Sequence, residues 1–159
     1  MRRFATLAFA LSALAAPLAA QTAHPDFTGK WTLDPKSVAD SPMAPTALTM
    51  TVSQSDKTLK MDQASSTPMG DQNTALVFNL DGSPSKNTLT AQGMSIELNS
   101  TAAWDGTALV VKTTADIQGQ SIVQNERWTI DPDGKTLRVQ RDASAAGQSM
   151  TMKMAFTKM

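Results

Sequence analysis

From Trp104 to Phe156 the chain alternates apolar and polar residues in four runs, broken at Asp105-Gly106, Gln118-Gly119, Asp133-Gly134 and Ala146-Gly147. Alternation at period two puts one set of side chains on one face of an extended strand. A Gly-containing pair between such runs signals a hairpin, because a tight turn needs positive φ, which Gly and Asp tolerate. Four strands are predicted here, at 108–117, 121–130, 136–141 and 149–158. Their inward faces hold Leu109 and Val111; then Ile122, Gln124, Glu126, Trp128 and Ile130; then Leu137, Val139 and Arg141; and finally Met150, Met152, Met154 and Phe156.

The first half repeats the pattern. A strand over 27–33 places Phe27, Gly29, Trp31 and Leu33 together and stops at Asp34-Pro35, because Pro cannot donate to a ladder. Residues 35–46, with Pro35, Pro42 and Pro45, predict a loop containing one helical turn near Lys36–Ala39. Further strands follow at 48–54, 58–63, 73–80, 86–91 and 94–104, with 64–71 expected as a polar loop. Their inward faces include Met50, Met61, Phe78 and Met94. No segment after residue 46 shows helical periodicity. Strands this short, joined almost entirely by hairpin-length turns, suit an all-β up-and-down meander barrel of roughly eight to ten strands, closed on itself to remove exposed edges. A two-sheet sandwich is the alternative.

The N-terminus changes the picture. Arg2 and Arg3 precede an apolar Ala- and Leu-rich run from Phe4 to Leu18, and Ala19-Ala20 supplies small residues before Gln21. This is the pattern of a cleaved signal peptide over 1–20, leaving 21–159 as a single exported domain, periplasmic or secreted. Removing Arg2 and Arg3 from the 14 basic residues leaves 12 against 14 acidic ones, a net charge of −2. Nucleic acid and anionic membranes both demand clustered positive charge and are not expected partners. The chain has no Cys, so stability rests on the core rather than on disulfides. A membrane-spanning barrel is set aside, because Tyr is absent, aromatic residues are 5 %, and the Lys- and Thr-bearing faces suit water. A monomer is expected.

The segment Phe27-Thr28-Gly29-Lys30-Trp31-Thr32-Leu33-Asp34-Pro35, with Trp104-Asp105-Gly106 through Val111 and Glu126-Arg127-Trp128-Thr129 through Leu137, resembles a group of bacterial exported lipocalin-like proteins of unassigned function. The Gly-x-Trp within it is similar to the first-strand motif of the lipocalin and fatty-acid-binding superfamily. That resemblance implies a calycin-type barrel whose Trp31 lies at the closed end under a basic residue from a late strand, Arg141 or Lys158. The Arg-x-Tyr ligand motif of the fatty-acid-binding branch is absent, since the chain has no Tyr.

Candidate chemistry is sparse. Arg141, Gln124 and Glu126 share the inward phase with Trp128, so burial requires them to be paired or wetted. Either Arg141 anchors a ligand carboxylate while Gln124 and Glu126 shape the pocket, or Glu126 and Arg141 form an internal pair. The methionines Met50, Met61, Met94, Met150, Met152 and Met154 read as a soft cavity lining or as core. Thioethers also bind Cu(I), but no Cys and only the terminal His24 could complete such a site, so no metal is expected. Trp31, Trp104 and Trp128 could stack on a ligand or anchor the core. Catalysis needs a nucleophile with its base, a metal, or carboxylates of separated pKa. Here Asp56, Asp81, Asp105, Asp131 and Asp133 fall in turns, so neither an enzyme nor a cofactor is expected. The function expected is binding of a small hydrophobic or amphipathic ligand inside the barrel, with Trp31, Met50, Met61, Phe78, Met94, Gln124, Glu126, Trp128, Arg141, Met150, Met152 and Met154 as its lining. The alternative is a structural or protein-interaction module with a filled core.

Overall fold

Alternating side chains fold here into ten strands: β1 Gly29–Leu33, β2 Ala47–Gln54, β3 Thr58–Thr67, β4 Gly70–Asn79, β5 Ser85–Ala91, β6 Met94–Asp105, β7 Ala108–Ile117, β8 Gln120–Ile130, β9 Thr136–Ala145 and β10 Gln148–Lys158. A short 3-10 turn over Pro35–Val38 follows β1 and is capped by Asp34, whose carboxylate accepts the Lys36 N–H. The structure is a computed structural model and describes residues 24–41, 44–67, 70–91 and 93–159. The targeting segment expected over 1–20 lies outside the described residues.

Within β1–β4 and within β5–β10 each strand pairs antiparallel with its sequence neighbour, and β1 closes onto β10 through Trp31↔Lys158 and Leu33↔Phe156. The result is the nearly closed up-and-down barrel that the hairpin spacing predicts. Among the described residues the ladder is interrupted only between β4 and β5. There the buried Asn87 side chain stands in for a rung, accepting the Val77 N–H at 2.8 Å and donating to the Val77 carbonyl at 3.0 Å.

Two strand pairs run further than expected. The 64–71 segment is largely ladder rather than loop, with Ser65 opposite Gln72 and Thr67 opposite Gly70; residues 68–69 lie outside the described residues. β9 likewise continues past Arg141 to Ala145. Backbone hydrogen bonds sustain a hairpin whether or not its side chains are apolar, so polar composition alone does not end a strand.

The core fills one end of the barrel. Trp31, Trp128, Phe27, Phe156, Leu59, Leu109, Leu137 and Val111 are the largest fully buried side chains, and all lie toward the end where Lys158 sits. Lys158 Nζ stands 5.2 Å from the Trp31 ring centroid, so Lys158 rather than Arg141 is the basic cover. The Trp31 indole N–H donates to the Phe27 carbonyl at 2.9 Å. Phe27 stacks on Trp104 and meets Trp128 edge-on, each at 5.8 Å. His24 stacks on this cluster too, 4.2 Å from the Trp104 ring. Gln54 tethers that segment by accepting the Phe27 N–H and donating to the Pro25 carbonyl.

Candidate functional site

Along the middle of β7 and β9 the inward residues become smaller and more polar away from the filled end, before Ile117 ends the inward face of β7. On β7 the inward face reads Leu109, Val111, Thr113, Ala115; on β9 it reads Leu137, Val139, Arg141, Ala143. Side-chain volume therefore runs out before the barrel does. A cavity of about 320 Å³ occupies the far half. Its apolar wall comes from Met61 on β3, Leu76 and Phe78 on β4, Leu89 on β5, Ile96 and Leu98 on β6, Ile117 on β7 and Ile122 on β8. Its polar wall comes from Gln63, Gln72, Thr74, Thr113, Gln124, Glu126 and Arg141.

The polar side has one organised cluster. Glu126, only 6 % exposed, lies directly across the β8–β9 ladder from Arg141. Its Oε1 accepts Arg141 Nε at 2.7 Å and Gln124 Nε2 at 3.0 Å, and its Oε2 accepts the Trp128 indole N–H at 2.9 Å. Three donors thus compensate the buried carboxylate, which is what burial of charge requires. The internal-pair reading of Glu126 and Arg141 is the arrangement found. Arg141, with 27 % of its side chain exposed, spends only Nε on that pair; among the described residues its terminal nitrogens have no hydrogen-bond partner.

The expected lining divides into three groups. Met61, Phe78, Gln124, Glu126 and Arg141 line the cavity. Trp31, Met50, Trp128, Met152 and Met154 are buried in the core and do not line it. Met94 and Met150 are 41 % and 44 % exposed, because Met94 begins β6 and Met150 is the third residue of β10, both at the far end, beyond the packed layers. Of the methionine stripe, then, Met61 alone reaches the cavity. Gln63, Gln72 and Thr74 were not singled out in the sequence; the signal that finds them is the inward phase of Met61 and Leu76 carried through the polar stretch between. Among the described residues, no three His, Asp or Glu side chains converge to hold a metal ion. No described helix is long and apolar enough to cross a membrane.

No protein-family model matches the sequence, and no curated protein does. Solved structures do match it. A secretory abundant heat soluble protein from Ramazzottius varieornatus aligns with TM-score 0.52 and 12 % identity over 84 % of this chain and 95 % of its own. Secretory abundant heat soluble protein 4 of the same organism aligns with TM-score 0.50 and 15 % identity over 83 % and 94 %. The zebrafish ileal bile acid-binding protein, solved with cholic acid, aligns with TM-score 0.51 and 16 % identity over 84 % and 98 %. At such identities the likeness is one of fold: a nearly closed, up-and-down antiparallel barrel.

Proposed function

We propose that this protein is a non-catalytic carrier of a small hydrophobic or amphipathic molecule, held in the far half of the barrel. The observation that carries this reading is the cavity of about 320 Å³, with an apolar wall facing one organised polar cluster. Apolar walls with a few placed polar groups are the usual make-up of small-molecule sites, and this volume is at the small end of their range. The fold shared with a bile acid-binding protein supports it by analogy, since function lives in sites rather than folds. The unfilled far half favours the carrier over an interaction module with a filled core. We also propose that residues 21–159 form one exported, lipocalin-like, monomeric domain, periplasmic or secreted; the N-terminal pattern of Arg2-Arg3 and an apolar run supports this.

The test is native mass spectrometry of the protein purified from its own compartment, followed by denaturation and identification of what is released. A stoichiometric small molecule, lost in Leu98→Trp, which fills the cavity, is the expected result. No released molecule, together with no thermal shift from fatty acids, isoprenoids or hemes, refutes the carrier reading.

A further inference from the structure

We infer that the cavity selects a ligand whose polar end is an uncharged hydrogen-bond acceptor, such as a ketone, ester or amide carbonyl, over a carboxylate on the same apolar body. The inference rests on the carrier reading and adds the chemical class of the ligand.

The charge balance of the site is the reason. Among the described residues, Glu126 and Arg141 are the only charged side chains lining the cavity, and they already neutralise one another at 2.7 Å. Both Glu126 oxygens are occupied by donors, so the carboxylate is held where it is and does not swing away to make room for a competing anion. Arg141 lines the cavity and spends only its Nε on Glu126, so its terminal N–H groups remain for an acceptor.

An incoming carboxylate would bind those N–H groups with Glu126 only a guanidinium's width behind them. Coulomb energy falls merely as the inverse of distance, so repulsion from Glu126 removes much of the attraction to Arg141. The anion must also shed its hydration on entering a largely apolar space, a cost that only an unbalanced positive charge would offset. A carbonyl oxygen avoids both penalties: it loses little hydration, meets no repulsion, and gains a hydrogen bond from a charged donor, the stronger kind. The rest of the polar wall, the Gln63, Gln72 and Gln124 amides and the Thr74 and Thr113 hydroxyls, is neutral and adds no positive charge for an anion.

The experiment compares two isosteric probes, laurate and undecyl methyl ketone, by isothermal titration calorimetry at neutral pH on the wild-type protein and on Glu126→Gln. In the wild type the ketone is expected to bind about ten-fold or more tightly than laurate. In Glu126→Gln the Arg141 charge is no longer balanced, so laurate should gain and the preference narrow or invert. Laurate binding as tightly as the ketone in the wild type overturns the inference and leaves the carrier reading standing. Binding of neither probe, with no small molecule released from the purified protein, overturns the carrier reading and this inference with it. The wild-type comparison decides the matter even if Glu126→Gln folds poorly.

Discussion

Gly29 shows how one residue serves the closed end of the barrel. Its φ of 142° lies where side chains other than glycine are strained, and a Cβ there would come within 2.6 Å of Lys158 Cε. The contact involves the flexible stem of Lys158 and is cheap to relieve; the backbone conformation is not. Gly29→Ala should therefore cost about 1–3 kcal/mol, read as a lower urea midpoint at unchanged slope. Lys158→Met, which keeps the stem and drops the charge, should not rescue it, because the strain lies in φ. The motif itself was legible in the sequence. Which basic residue covers Trp31 was not, since that follows from the Trp31↔Lys158 register, formed between opposite ends of the chain.

At the scale of elements, the barrel's weak place is the seam between β4 and β5, where the ladder is interrupted and the Asn87 side chain hydrogen-bonds across to Val77. Asn87→Ala removes both its donor and its acceptor and leaves the Val77 N–H and carbonyl to water. The expected cost is about 1–2 kcal/mol, at the lower end for unsatisfied backbone groups because Val77 is itself 39 % exposed. Hydrogen exchange at the Val77 amide should accelerate, while amides in the β7–β8 ladder keep their protection. An unchanged Val77 rate would mean that Asn87 does not hold the seam. Asn87 stands in a short polar strand, and nothing in its immediate sequence distinguishes it from a solvated residue.

For the whole molecule, acid is the expected threat to stability. Asp131 sits below the usual carboxylate range because the Arg138 guanidinium hydrogen-bonds it, through Nε at 2.8 Å and Nη2 at 2.7 Å. Asp142 is lowered chiefly by the Thr151 hydroxyl and then by Gln140, and Glu97 by the Asn99 amide and then by Lys86. Asp81 and Asp26 are lowered chiefly by hydrogen bonds from Ser83 and Thr28. In each case the folded pKa lies below the unfolded one. The stability they contribute is present in full above the unfolded carboxylate range, about pH 4, and is lost as pH falls through the lowered folded values. Thermal unfolding followed by circular dichroism should give a Tm that is flat from neutral pH to about pH 5 and falls below about pH 4. Each group is exposed or only half-buried and its share small, so Asp131→Asn should only soften the acid slope.

The sequence by itself determined the strands, their inward faces and most of their turns, because period-two alternation and the Asp105-Gly106 and Ala146-Gly147 turns act between residues close in the chain. It also brought Gln124, Glu126, Trp128 and Arg141 to the inward side. The tertiary structure decided where the barrel closes, where it is left open, and where its interior goes unfilled. Closure joins residues near 31 to residues near 158. The cavity is a difference between the space ten strands enclose and the summed volume of their inward side chains, a quantity that no single strand carries. The pairing of Glu126 with Arg141 is set by the β8–β9 register. For the same reason the methionines, alike in sequence, part company in space: Met61 meets the cavity, Met152 and Met154 fill the core, and Met94 and Met150 lie near the starts of their strands at its exposed end.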